Sequence, residues 1–261
     1  MRLSSIYLAM ILALLGSLLA CQSFVPQKSM DRVAMGAPSL KRMVKPDMAV
    51  DKVDPKTAAT IQSGMEWLIK AQAENGGWGA GSHFRQGIND PHAVSTDPAT
   101  TAFAAMALLR AGHTLQEGSH KDNLRKGLDY LLTTVENAPA NSPTITDQTD
   151  TQPQRKLGRN VDVSMTSQFL TRILPHATFD QALTKRIKAA QQVCIQKLEQ
   201  SVSADGSVSG GTWAGVLQSA SVTTALEEAA EAGYEVDTAK LDQAREYQRS
   251  NVDLSTGEIV T

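Results

Sequence analysis

A glycine-centred turn that recurs after helical segments is the feature that most constrains the fold of this chain. The turn appears as Gly76-Gly77-Trp78, as Gly206-Ser207-Val208 and as Gly257-Glu258-Ile259. A glycine at this place lets the backbone reverse with positive φ, and the large apolar residue two positions later packs back on the helix that has just ended. The sequence therefore predicts helices joined by anchored turns.

The composition agrees with a helical globular domain. Of the 261 residues, 41% are apolar and 20% are charged, and the formal net charge is −2. This balance argues against disorder and gives no indication of nucleic-acid binding. Aromatic residues make up only 5% of the chain, and Gly and Pro fall mainly between apolar segments. The sequence predicts an all-α class.

The helical segments alternate in a way that predicts hairpins. Three pairs of helices are expected, over 55–73 with 99–112, over 121–136 with 162–176, and over 179–201 with 214–233. A further helix near 237–250 begins a fourth pair, so the chain holds about 3.5 hairpins with a period of roughly 60 residues. Asp54 and Asp97 are expected to cap helices, each with Pro following, and the run 119–122 is expected to act as a capping box.

The first 21 residues predict export and lipid attachment. Arg2 precedes an apolar run that is too short to act as a stop-transfer helix, and the run ends in Leu18-Leu19-Ala20-Cys21. This ending resembles the lipobox of bacterial lipoproteins, which implies that the signal segment 1–21 is cleaved before Cys21, so that Cys21 becomes the acylated N-terminus. With Gln22 following, it also implies sorting to an outer membrane facing the periplasm. The alternative is an ordinary secretory signal. Residues 22–54 lack a sustained period and are interpreted as a flexible tether.

The folded domain, 55–261, carries a motif of known type. Ser63-Gly64-Met65-Glu66-Trp67-Leu68-Ile69-Lys70-Ala71-Gln72, followed by Gly76-Gly77-Trp78, resembles the glutamine-tryptophan repeat of squalene-hopene and oxidosqualene cyclases and of protein prenyltransferase β subunits. A second copy keeps Gly127 and Tyr130 but loses the glutamine and the Gly-x-Trp. The motif residues are Gly64, Trp67, Gln72, Gly76, Trp78, Gly127, Tyr130, Gly206 and Gly257.

The resemblance implies an α/α toroid, in which an inner ring of helices is wrapped by an outer ring. A closed ring of this kind needs about five to seven hairpins, so this chain is expected to form an incomplete or open ring. Such an arc leaves apolar hairpin faces uncovered. Either the native chain continues past Thr261, or a protein partner or self-association closes the arc.

The catalytic apparatus of these relatives is not recognisable in the sequence. Squalene-hopene cyclases protonate an alkene with a D-x-D-D run, whereas Asp97 and Asp162 stand alone at helix starts, where helix capping is the favoured interpretation. The zinc ligands of prenyltransferases have no counterpart around Cys194. The thioester motif C-x-E-Q of complement-type toroids also fails, because Lys197 stands where its glutamine is needed. Cys194 is expected in the core.

Two loops remain as candidate sites. The loop 81–97 holds His83, Asp90 and His92, which could line a cavity or bind a metal, although a solvated loop is favoured and no metal or cofactor is expected. The polar loop 137–160 is long enough to be either mobile or functional.

Two functions are consistent with these observations. The first is a lipid-anchored protein of the bacterial cell envelope, whose repeat domain binds a ligand or partner without chemistry. Its partners would be the membrane, through the anchor, and a protein or a second copy, but no nucleic acid. The alternative is a terpenoid cyclase or prenyltransferase-type enzyme whose catalytic part is missing from this chain.

Overall fold

The computed structural model describes residues 54–208, 215–251 and 256. Eight α-helices follow one another here: α1 Pro55–Lys70, α2 Pro98–Arg110, α3 Lys121–Glu136, α4 Gln152–Leu157, α5 Val161–Ile173, α6 Gln181–Ser201, α7 Gly215–Glu231 and α8 Thr238–Ser250. Short 3-10 helices cover Pro91–Ala93 and Leu174–His176. Within the described ranges the β pairing consists of two isolated bridges, Ser82 with Thr151 and Val202 with Val208. The all-α prediction is confirmed.

Several predictions fall on residues that lie outside the described part of the chain. These are the signal peptide 1–21 with Cys21, the tether up to residue 53, and the turn glycine Gly257. None of the helices that the structure does describe combines the length and the apolar character needed to cross a membrane.

The helices form two layers in an α/α toroid-like stack. α2 packs along α5, and α5 packs along α7, which makes the inner layer. α3 packs on α2, α6 on α5 and α8 on α7, and α3 also contacts α6, which makes the outer layer. Each outer helix therefore covers the inner helix that precedes it in the chain.

The composition of each helix explains its layer. α5 lies between α2 and α7, and all of its residues except Arg172 are buried. α2 is rich in alanine, which allows close packing on two sides, and its alanines at positions 99, 102, 104 and 105 are buried. α3 has a charged face and a leucine face, and only the leucine face, with Gly127 and Val135, is buried.

The helix starts confirm some capping predictions and correct others. Asp54 accepts hydrogen bonds from the backbone N–H groups of the first turn of α1, and Asp97 does the same for α2. The capping box expected over 119–122 is wrong, because α3 begins after His120, whose side chain makes no capping bond. α4 was not expected within the loop 137–160, yet it begins with a genuine capping box between Thr151 and Gln154.

Candidate functional site

Two buried carboxylates meet at the first turn of α2. Asp97 precedes the helix and accepts hydrogen bonds from the backbone N–H of Thr100 at 2.8 Å and of Ala80 at 3.2 Å. Asp162, in the first turn of α5, accepts a hydrogen bond from the backbone N–H of Ala99 at 3.0 Å. The first turn of α2 is therefore capped by one acid from its own hairpin and one from the next.

This geometry corrects the sequence interpretation of Asp162. Its own helix begins after Asn160, whose side chain makes no capping bond, and Asp162 does not cap that helix either. The two acids stand alone in the sequence, but in the structure both accept hydrogen bonds from the first turn of α2. Asp97 and Asp162 come together because α2 packs along α5, and this packing cannot be read from the sequence.

Burial sets the electrostatics of the pair. Asp97 and Asp162 are each only 1% exposed. Burial, with a smaller contribution from the nearby charge of Asp97, raises the pKa of Asp162 to about 7, although Gln154 opposes the shift by donating Nε2 to Oδ2 at 2.7 Å. Burial also raises the pKa of Asp97. These two carboxyl groups therefore keep their protons at higher pH than exposed carboxyl groups do.

Replacing Asp162 by Asn tests this electrostatic arrangement. The raised pKa means that Asp162 stabilises the fold most below its unfolded pKa near 3.8, and that this stability is lost as the pH rises to about 7. The neutral Asn cannot lose a proton. The free energy of unfolding of D162N relative to the parent chain should therefore rise by about 3 to 4 kcal/mol between about pH 4 and pH 7, since the pKa is raised by about 3 units and each unit corresponds to about 1.4 kcal/mol.

Urea unfolding at a series of pH values measures this difference. Comparing the variant with the parent at each pH cancels the histidines, of which His113 and His176 have pKa values lowered by burial. A difference that is independent of pH, or that falls as the pH rises, would contradict the assignment.

The loop candidates His83, Asp90 and His92 do not converge on one point. Asp90 caps the short 3-10 helix by accepting the backbone N–H of His92 at 2.9 Å. The Nε2 atom of His92 lies 2.9 Å from the backbone oxygen of Lys70, while the Nδ1 atom of His83 lies 3.3 Å from Oε1 of Gln152. Across the described ranges, no three His, Cys, Asp or Glu side chains come together as a metal site.

The turn after α1 docks on α3. Gly76 has φ of +85°, and a Cβ atom placed on it would lie 2.5 Å from the backbone oxygen of Lys126. Trp78 is buried, donates its indole N–H to the backbone oxygen of Leu68 at 2.7 Å, and places its ring over Gly127. The turn therefore closes its own helix and also joins it to α3.

Gln72 strengthens the same junction. Its Nε2 atom donates to the backbone oxygens of Gly76 at 2.7 Å and Asn123 at 2.9 Å. The side chain of Asn123 returns a hydrogen bond from Nδ2 to Oε1 of Gln72 at 2.7 Å. The glutamine thereby connects the turn to the first turn of α3.

A second turn repeats this geometry further along the chain. Ser203 donates its backbone N–H to Ser207 at 2.8 Å, just as Ala73 donates to Gly77 at 2.9 Å. Gly206 has φ of +81°, and a Cβ there would collide with the backbone oxygen of Gln243 in α8. The two turns therefore share their backbone geometry, and each docks on the outer helix of the next hairpin.

Comparison with known families gives one match, over the part of the chain that holds the first junction. Residues 43–147 match the family model described as the squalene-hopene cyclase C-terminal domain. This segment is a squalene cyclase-like repeat. It contains α1 to α3 and the junction at Trp78. No curated protein and no solved structure matches the chain at a significant level.

The junction between α3 and α6 uses a different anchor. At the first and last junctions the helix on which the turn docks contributes a tyrosine, Tyr130 of α3 or Tyr247 of α8. At this middle junction α6 contributes Lys197 instead. Lys197 is buried and its Nζ atom donates to the backbone oxygens of Pro139 and Ser142, at 2.7 Å each. The loop after α3, which lacks Gly-x-Trp, is therefore held by the ammonium group of Lys197.

The sequence analysis assigned no role to two residues of these sites, Gln154 and Lys197. Gln154 could have been found, because Thr151 and Gln154 have the spacing of a capping box. Lys197 could not have been found, because its role depends on contact with a loop that carries no recognisable sequence motif. Cys194 is buried as expected, and burial raises the pKa of its thiol to about 12, so it is not a reactive thiolate.

Proposed function

We propose that this chain is a lipid-anchored protein of the bacterial cell envelope, on the periplasmic side of the outer membrane, whose squalene cyclase-like repeat domain binds a partner without catalysing a reaction. The lipobox-like sequence at Cys21 supports the anchor. The hydrogen bonds and the burial of Asp97 and Asp162 support binding without catalysis.

The carboxylates at the start of α2 carry this proposal. Each oxygen of Asp162 accepts a hydrogen bond, one from Ala99 and one from Gln154, and Asp97 accepts three. Two depressions of the described surface, one along α8 and one between α3 and α6, are not lined by these acids. A general acid must reach its substrate, so this arrangement favours a structural role.

The anchor is tested by labelling cells with radioactive palmitate. We expect the exported chain to incorporate label and to fractionate with the outer membrane, and we expect Cys21→Ser to lose both properties. The Cys194→Ser variant is the matched control, because this buried thiol should not be acylated. Undiminished labelling of the Cys21→Ser protein would refute the anchor.

The alternative function is a terpenoid cyclase or prenyltransferase type of activity. The observation in its favour is the raised pKa of Asp162, which would keep a proton available near neutral pH. Incubating the full chain with squalene or with prenyl diphosphates, with and without divalent metal, should give no product. A product that the parent chain forms and D162N does not would establish the alternative.

A further inference from the structure

A segment between α3 and α5 lies against the two buried acids and is fixed at both ends. We call this segment, residues 143–158, the strap, and it includes α4. Just before it, the Nζ atom of Lys197 donates to the backbone oxygen of Ser142 at 2.7 Å. At its far end Gly158 has φ of +95°, and a Cβ atom placed there would collide with the side chain of Gln218 in α7.

Polar contacts hold the middle of the strap in place. The Nε2 atom of Gln154 donates to Oδ2 of Asp162 at 2.7 Å and to the backbone oxygen of Gln148 at 2.9 Å. The Nε2 atom of Gln148 donates to the backbone oxygen of Thr96 at 2.9 Å. Within 143–158 only one apolar side chain, that of Ile145, is fully buried. A segment with so few buried apolar contacts can open locally while the rest of the domain stays folded.

The closed strap also contains two unfavourable features. The Oε1 atom of Gln148 is buried and has no hydrogen-bond partner among the described residues, which costs free energy. Asp150 has φ of +62°, a left-handed conformation that is uncommon for a residue with a side chain. Opening lets water reach Gln148 and lets Asp150 relax. The closed conformation therefore depends on the hydrogen bonds that Gln154 and Gln148 make.

Exclusion of water connects the strap to the charge of the acids. Burial raises the pKa of Asp162 to about 7, and the charge of Asp97 adds to this effect, while Gln154 and Arg159 oppose it. Tyr130 of α3 also lies close enough for both acids to raise its pKa, after burial. If the strap opens, water reaches Asp162 and its pKa returns towards the ordinary value of 3.8. Loss of the proton from Asp162 therefore favours the open strap.

The sign and the pH window of this effect follow from linkage. Opening becomes up to about tenfold more favourable for each pH unit between about 3.8 and about 7, and it gains nothing more at higher pH. Asp97, whose pKa is also raised by burial, acts in the same direction. Two other contacts involve charged or titratable groups at the strap: His83 lies 3.3 Å from Gln152, and Arg155 pairs with Asp150 at 3.6 Å.

We propose that the strap is a lid, which closes over Asp97 and Asp162 while these carboxyl groups are protonated and opens when they ionise. This device goes beyond the partner-binding function proposed above, because it gives the domain a second conformation that depends on pH. Opening accompanies loss of the proton, so it does not deliver a general acid to a substrate. The surface at the starts of α2 and α5 would thus change with the pH of the surroundings.

Hydrogen–deuterium exchange of the full chain, followed by mass spectrometry, tests the lid. The backbone N–H groups of Gln152, Arg155 and Gly158 are hydrogen-bonded in the closed strap and report its opening. After correction for the intrinsic exchange rate, we expect their opening equilibrium to rise at least about tenfold from about pH 4.5 to about pH 7.5. The amides of α6 should stay more protected than these at every pH, because opening is local.

Three variants separate the lid from other effects. Asp162→Asn should remove most of the rise with pH, and Asp147→Asn is the matched control, because Asp147 is an exposed acid within the strap. Both variants retain His83, so its titration cancels in the comparison. Gln154→Leu loses the bonds to Asp162 and Gln148, so its strap should open at least about fivefold more than that of the parent at about pH 4.5.

Three results would each overturn the lid. The first is a strap whose amides exchange only as fast as those of α6, which would mean that the domain opens as a whole. The second is a rise with pH that Asp162→Asn leaves unchanged, and the third is a Gln154→Leu strap that is as well protected as that of the parent. Palmitate labelling at Cys21 does not depend on these results, so failure of the lid is distinguishable from failure of the anchor.

Discussion

Replacing Trp78 by Ala is expected to lower the free energy of unfolding by about 3 to 5 kcal/mol, the usual cost of removing a large buried aromatic side chain. Trp78 fills the space between α1 and α3, with its ring over Gly127 and its N–H bonded to Leu68. Its loss leaves a cavity and also an unpaired backbone oxygen. Urea unfolding followed by circular dichroism, at one protein concentration for all variants, measures the effect.

Trp78→Phe separates the two contributions. Phenylalanine keeps an aromatic ring over Gly127 but cannot donate to the backbone oxygen of Leu68, so we expect it to cost about 1 to 2 kcal/mol. If Trp78→Ala cost no more than Trp78→Phe, packing over Gly127 would not stabilise the junction.

Gly76→Ala is expected to cost about 3 kcal/mol or more, for two reasons that act together. An L-residue at φ of +85° is strained, and its Cβ would lie 2.5 Å from the backbone oxygen of Lys126, which belongs to a helix and cannot move alone. The turn would have to move away from α3, and the bonds of Gln72 at the same junction would be lost with it.

Gly112→Ala is the matched control for Gly76→Ala. Gly112 has φ of +90°, but a Cβ placed there meets no atom within 4 Å, so only the backbone strain of about 1 kcal/mol is expected. Equal losses for the two variants, measured by urea unfolding, would show that close contact with Lys126 does not contribute.

The fold could be predicted because its local signals are strong. Asp54 and Asp97, each followed by proline, mark helix starts, and Gly76 and Gly206 mark turns with positive φ. These features are set within a few residues by capping and by backbone geometry, so a single sequence is enough to find them.

The candidate site could be predicted less well, because it depends on contacts between hairpins. Asp162 looked like the cap of its own helix, yet it caps α2. Lys197 looked only like a residue that disrupts a thioester motif, yet it holds the loop between α3 and α4. Neither role follows from the spacing of residues along the chain, since both depend on which helices become neighbours.

The hydrogen bond from Ala99 to Asp162 has a consequence for how such an array can change in length. The first turn of α2 is completed by an acid that the following hairpin supplies. A hairpin inserted between these two in evolution or by engineering would have to bring its own acid for α2 and also offer an amide to Asp162. Duplication of a whole hairpin with both groups preserves the pairing, whereas insertion of a lone helix breaks it.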